Sequence, residues 1–332
     1  MSTAAVFGAG SWGTAFASIL ADAGNEVRVW GRRPELVAQL NDGVNEDYLP
    51  GFSLPSGISA SSDPAEVTDG AEIIVLSVPS QTLRANLADW GHLLGRDAIV
   101  ISLMKGIELG TTKRMSEVIA EAGGVDPERI GVVSGPNLAR EITDRQPAAT
   151  VVACPDAQAA EKVAACCSTS YFRPYTSTDV IGAEMGGAVK NVIALAVGIA
   201  QGLQLGDNTK ASIITRGLAE ITRLSVALGA DPRTLAGLAG VGDLIATCMS
   251  PLSRNHSFGV KLGQGMSVEQ VIAETKQTAE GVKSCASILD LARAHGVDVP
   301  ITEQVNNAVH HGASAEEIVR ELLSRARKAE AE

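Results

Sequence analysis

Aromatic residues are scarce in this chain, at 3% of 332 residues, while glycine is abundant at 34. Its core must therefore be filled by aliphatic side chains, which supply most of the 45% hydrophobic content. Small residues suit close helix packing and tight turns around a ligand. An excess of basic charge is also missing: 27 Lys and Arg stand against 38 Asp and Glu, for a net charge of -11 and a pI near 5.0. That balance excludes a broad nucleic-acid surface. It does not exclude an anionic substrate, because a few cations gathered in one cleft act through their local field. The five cysteines, Cys154, Cys166, Cys167, Cys248 and Cys285, form no CxxC pair and no disulfide framework, so they read as reduced thiols of a cytoplasmic protein. The histidines show no HExxH spacing, and no metal site is expected. No basic segment precedes an apolar run at the N-terminus, so no secretory signal is expected.

One stretch, 185–203 (MGGAVKNVIALAVGIAQGL), approaches membrane-spanning length. Lys190 and Asn191 lie inside it, and a central lysine costs about 2.5–3.5 kcal/mol on insertion scales. The stretch therefore reads as a buried core helix, and no membrane span is expected.

The length fits about two domains. Apolar runs at 3–8, 72–79, 97–103, 130–135 and 148–153, with EVRVW at 26–30, alternate with helical stretches. That alternation predicts an α/β fold: a doubly wound sheet of parallel strands covered on both faces. Near residue 178 the pattern changes. Ser177, Thr178 and Asp179 are placed to cap a helix that is apolar nearly all round, and only helical periodicity follows. Helices are expected over 209–229, 232–239, 256–264, 267–273, 281–294, 301–309 and 314–330. The domains are thus expected to be 1–178, for a dinucleotide, and 179–332, all-helical, for substrate and catalysis, joined by the central helix.

Gly8-Ala9-Gly10-Ser11-Trp12-Gly13 is a GxGxxG motif between a strand and a helix. The first glycine permits the turn, the second lets a pyrophosphate approach the backbone, and the third lets helix and strand pack closely. The helix start then offers free N–H groups and a positive dipole end to phosphates. After the second strand, where an NAD-selective site places an acidic residue, Arg32 and Arg33 stand instead. Guanidinium groups favour a 2′-phosphate, so NADP(H) is the expected cofactor, with NAD(H) left open.

Several further segments occur in order: LMKGIE at 103–108, SGPN at 134–137, AEMGGAVKNVIALAVGI at 183–199, GVGDLIATC at 240–248, SRN at 253–255 and AEG at 279–281. With the opening FGAGSWGTAFA, they resemble the bacterial-type NAD(P)-dependent glycerol-3-phosphate dehydrogenases over essentially the whole chain. The resemblance implies a Rossmann-like domain followed by an all-α domain of the 6-phosphogluconate dehydrogenase C-terminal type. It implies catalysis in the cleft between them, reduction of dihydroxyacetone phosphate to sn-glycerol 3-phosphate, and a role in phospholipid synthesis.

Lys190 lies in the middle of the apolar helix, where burial and neighbouring cations would depress its pKa and make it a proton acceptor and donor. The resemblance gives the matching position that role. A lysine that snorkels to water or pairs with Glu184 is the structural alternative. Lys105 follows an apparent strand, and by resemblance touches both cofactor and substrate. Asp243 either orients the Lys190 amine and the substrate hydroxyls or caps the helix that begins LIATC. Asn191 is left between substrate contact and helix packing. Ser253, Arg254 and Asn255 offer a hydroxyl, a guanidinium fork and an amide, a set suited to a phosphomonoester. By resemblance, Arg254, Ala139 and Glu280 contact the cofactor, while Gly135 and Asn137 approach the substrate; the family often has Ser or Thr where Asn137 stands. The remaining alternatives are a reductase of another small hydroxy acid and a dinucleotide-sensing regulator. Oligomeric state is left open, with a homodimer as one expectation.

Overall fold

The computed structural model describes residues 2–95, 97–275 and 279–324. Eight strands form one sheet: β1 Thr3–Phe7, β2 Glu26–Trp30, β3 Ile58–Ser61, β4 Ile73–Leu76, β5 Ile99–Ser102, β6 Ile130–Ser134, β7 Ala148–Ala153 and β8 Phe172–Ser177. Their spatial order is β3-β2-β1-β4-β5-β6-β7-β8. The pairings from β3 through to β6 are parallel, β7 pairs antiparallel with β6, and β8 runs parallel to β7. The chain starts in the middle and winds outward both ways, so the switch point falls between β1 and β4.

Side chains alternate across this sheet. Ala4, Val6, Ile73 and Val75 pack on one face with Phe16, Leu20 and Val163. Ala5, Phe7, Ile74 and Leu76 pack on the other with Leu83, Leu87, Trp90 and Ile119. Burial on both faces is why these strands read as unbroken apolar runs.

Two strands and one direction depart from the sequence-based expectation. β3 (ISAS) is short and half polar because it is a sheet edge. β8 (FRPYTS) carries Pro174, also tolerated because it is an edge. The run at 148–153 is a strand, but it runs against β6 rather than with it.

Past β8 the described residues are helical. Asp179 accepts a hydrogen bond from Gly182 N at 2.9 Å and so caps the central helix, Val180–Gly202. This helix is long and apolar enough to cross a membrane, yet 94% of its most apolar window is buried within the fold. It sits in the main helical core beside Ile221, Leu224, Phe258, Ile288 and Val305. The helix Arg254–Gly263 crosses it at near backbone contact: a Cβ on Gly198 would lie 2.2 Å from His256 O, and one on Gly259 2.2 Å from Leu195 O. The helix expected over 232–239 stops at Leu235, and a π-helical turn, Leu238–Gly242, leads into the helix Asp243–Met249. The last helix covers Ala315–Ser324, and the tail expected to continue it lies outside the described residues.

All five cysteines are free thiols. Burial pushes Cys154 up to about 11 and Cys167, Cys248 and Cys285 up to about 12, which removes the reactive thiolate at neutral pH.

Candidate active site

The parallel strands bring the carboxyl ends of β1, β4, β5 and β6 to one edge, where doubly wound sheets place ligands. At β1 the glycine motif makes the tight turn and the close packing that its spacing predicts. Gly8 has φ +119, and a Cβ there would lie 2.5 Å from Ser77 O. A Cβ on Gly13 would lie 2.0 Å from Gly8 O, so the helix Ser11–Asp22 starts directly against the strand. Around Gly10, by contrast, nothing lies within 4 Å of the would-be Cβ. Gly10 is the N-cap residue and supplies no side-chain cap, and Trp12 Nε1 is buried without a partner. An open approach, uncapped N–H groups and an unused donor fit a dinucleotide pyrophosphate.

Around this turn, Ser11 Oγ donates to Tyr48 O at 3.1 Å. Asn45, fully buried and not foreseen from the sequence, donates to Ala9 O at 3.0 Å and to Thr14 Oγ1 at 2.8 Å. It fastens the loop beyond β2 onto the glycine turn. Both arginines are exposed, and Arg33 is paired with Asp47 at 2.6 Å, with its guanidinium 5.9 Å from the Tyr48 ring centre.

The second cluster joins the sheet to the helices. Lys105, on the loop after β5, donates to Asp243 Oδ2 at 2.6 Å and to Gly135 O at 3.3 Å. Lys190, from the central helix, is hydrogen-bonded to the other oxygen, Asp243 Oδ1, and donates to Thr247 Oγ1 at 2.7 Å. Lys190 is 5% exposed and Asp243 1%. Burial pushes the Lys190 ammonium down to about 7; Asp243 opposes that shift and Lys105 adds to it. Lys190 therefore neither snorkels to water nor pairs with Glu184, which bonds Arg114 and Ser116 instead. Asp243 is the first residue of its helix but does not cap it, since its carboxylate is turned to the lysines. Thr247 was missed by the sequence reading; its signal was the i, i+4 spacing from Asp243, which puts both on one helix face.

Of the other candidates, Gly135 bonds Lys105 directly, Asn255 bonds the residue after Lys190, and Glu280 feels the charges of Lys105 and Lys190. Gly135, with φ +153, lies so close to the neighbouring strand that a Cβ would be 3.1 Å from Thr150 Cα. Asn137 donates to Thr150 Oγ1 at 2.9 Å, and its Oδ1 is buried without a partner. Ala139 opens the short helix Ala139–Thr143. Ser253 caps the helix that begins at Arg254, accepting from His256 N at 3.2 Å. Arg254 is exposed. Asn255 is buried between Asn191 Oδ1, at 3.0 Å, and Gly281 N, at 2.9 Å, so both asparagines have a packing role. Burial pushes the half-buried Glu280 carboxyl up, and the charges of Arg254, Lys105, Lys190 and Lys283 offset this. Among the described residues, no three His, Cys, Asp or Glu side chains are grouped to hold a metal.

Chemically, the edge combines a phosphate cradle with a buried amine able to exchange a proton near neutrality and a second cation beside it. Residues 3–160 match the family model for the NAD-dependent glycerol-3-phosphate dehydrogenase N-terminus, and residues 179–320 match that for the C-terminus. A glycerol-3-phosphate dehydrogenase [NAD(P)+] of Streptomyces griseus subsp. griseus is 64% identical, over 98% of both chains. One from Thermobifida fusca is 61% identical over 99% of both. The crystal structure of the glycerol-3-phosphate dehydrogenase from Coxiella burnetii superposes with a TM-score of 0.93 at 36% identity, covering 98% of this chain and 99% of that one.

Proposed function

Because the chain belongs to the NAD-dependent glycerol-3-phosphate dehydrogenase family, and reduces dihydroxyacetone phosphate to sn-glycerol 3-phosphate with NAD(P)H, we propose that Lys190 manages the single proton of that reaction. The usual role of this enzyme is to supply phospholipid synthesis. When bound, the nicotinamide supplies the hydride to C2 of the three-carbon phosphate or takes it back.

The chain's own residues do the rest. In reduction, the Lys190 ammonium gives its proton to the C2 oxygen as negative charge develops there. In oxidation, the neutral amine takes the hydroxyl proton. Lys105 stabilises the same oxygen electrostatically. Asp243 holds both amines and accepts from the substrate hydroxyls. Ser253, Arg254 and Asn255, with Gly135 and Asn137, receive the phosphate end. Gly8, Gly10, Ser11, Trp12 and Gly13 would hold the dinucleotide phosphates, and Ala139, Arg254, Lys105 and Glu280 its nicotinamide half. The observation that carries this reading is the buried Lys190 bonded to the carboxylate that Lys105 also binds.

Arg32 and Arg33 favour NADP(H) through the 2′-phosphate. The Arg33–Asp47 pair favours a second reading, use of both cofactors, since a 2′-phosphate must compete with a carboxylate already in place. The test is one assay with dihydroxyacetone phosphate and NADPH or NADH in parallel. Loss of the reduced-nicotinamide absorbance is expected, faster with NADPH; no loss with either cofactor overturns the reading.

The proposed domains are 1–178 and 179–332, supported by the end of β8 at Ser177 and the start of the central helix at Val180. The proposed assembly is a homodimer, supported by the exposed apolar side chains of Ile245, Met249 and Leu252, and the proposed location is the cytoplasm. Light scattering of the purified protein checks the assembly, and a monomeric mass would reject it.

A further inference from the structure

The two lysines come from different parts of the chain and need a device that keeps them in register. Lys105 sits on the loop 103–114, which leaves β5, closes through a backbone bridge between Ile107 and Arg114, and enters the helix Met115–Gly123. Lys190 sits on the central helix. Glu184 lies six residues earlier on that helix, about 9 Å along its axis. It is 4% exposed, and its carboxylate takes Ser116 N at 2.7 Å, Ser116 Oγ at 2.6 Å and Arg114 Nη1 at 2.9 Å. All these donors stand at the end of the Lys105 loop.

Further contacts fix the same loop. A Cβ on Gly187, between Glu184 and Lys190, would lie 3.4 Å from Lys105 Cγ and Cδ, so the lysine stem passes across the helix there. Ile107 packs into the helical core. Its carbonyl accepts from Ser287 Oγ of the helical half at 2.9 Å and from Gln81 Nε2 of the sheet half at 2.8 Å. Replacing a buried ion pair by well-packed apolar residues is often neutral or stabilising, and fixing one geometry is a role that such a pair can have instead.

Resting on the roles given above to Lys105 and Lys190, we infer that Glu184 is a positioning residue: by holding Arg114 and Ser116 it fixes the Lys105 loop on the central helix, and so places the two ammonium groups on either side of Asp243.

Glu184→Gln keeps the side-chain volume but sets an amide N–H group against Arg114. Misplacing a reacting group by about 1 Å costs up to roughly 100-fold. The variant is therefore expected to lose about 10- to 100-fold in kcat/KM for dihydroxyacetone phosphate, with a much smaller change in NADPH affinity. In a Lys105→Ala background, Glu184→Gln should add less than about threefold, because no ammonium remains to be placed. Arg114→Met, which leaves Glu184 its Ser116 donors, gives the same pattern from the other side if Glu184→Gln does not fold. Full activity in the folded variants overturns the inference. So does a loss of equal size with and without Lys105, which is the mark of a purely structural role. Wild-type activity in Lys105→Ala alone would overturn the assignment of Lys105 instead.

Discussion

Lys105 and Lys190 are bonded to the two oxygens of one carboxylate, Asp243, although one lysine leaves the sheet and the other lies inside the longest helix. The buried amine thus feels both an anion that favours its proton and a cation that disfavours it, with burial deciding the balance toward the neutral form. Near neutral pH such an amine can act in both directions of a reversible oxidation.

That balance sets a pH dependence with a sign. With Lys190 as the proposed base, oxidation of glycerol 3-phosphate uses its neutral amine, so kcat/KM should rise as pH passes through about 7. Reduction of dihydroxyacetone phosphate needs the ammonium, so its kcat/KM should fall over the same window. Asp243→Asn removes the group that holds the proton on Lys190. The rising limb of the oxidation profile should then move to lower pH, while kcat falls and the folded state loses on the order of 3–5 kcal/mol through the uncompensated lysines. Initial-rate profiles for both directions check this; a limb that stays in place in the variant contradicts it.

The glycine turn separates binding from folding. Gly10→Ala meets no neighbouring atom within 4 Å. It should keep the wild-type Tm and lose NADPH affinity by about tenfold or more, roughly 1.4 kcal/mol, because the methyl occupies the phosphate approach. Gly13→Ala drives a Cβ to 2.0 Å from Gly8 O and should lower Tm as well. Thermal melts and NADPH fluorescence titrations of the two variants distinguish these outcomes.

Glu220 makes stability depend on pH away from the site. It is 1% exposed on the helix Asp207–Ala227 and accepts from Ile301 N at 2.6 Å and Thr302 N at 3.2 Å, capping the helix Pro300–His311 from outside. Burial pushes its carboxyl from 4.5 up to about 7. The folded state then holds a proton that the unfolded chain has released. This contribution is complete below 4.5 and is lost as pH rises to about 7, by a total on the order of 3 kcal/mol. Glu220→Gln should flatten the denaturant-midpoint profile between pH 5 and 8; a profile as steep as that of wild type would refute the assignment.

What could be read in the sequence follows from periodicity and from local motif geometry. Ala4 to Phe7 and Ile73 to Leu76 face apolar neighbours on both sides, so their runs were unambiguous. The edges β3 and β8 mix polar residues and a proline with apolar ones, and look like loops. The direction of β7 depends on where the chain crosses the sheet, which no residue of Ala148–Ala153 encodes. Within the site, Gly8, Gly10, Gly13, Lys105, Lys190 and Asp243 stood out because each sits in a short segment with its own geometry. Asn45 did not, because it acts through residues distant in sequence, as does Glu184 with Arg114, and Thr247 showed only in its spacing from Asp243. Arg33 was expected to serve the cofactor, and its pairing with Asp47 reflects a loop fold that its own neighbours do not specify.

The most direct test of the account is turnover in Lys190→Ala, with NADPH binding measured on the same preparation. The account predicts wild-type affinity for NADPH and a kcat for dihydroxyacetone phosphate lower by about 10²- to 10⁴-fold, the range of a lost acid–base group. A folded Lys190→Ala protein that turns over at the wild-type rate would contradict it.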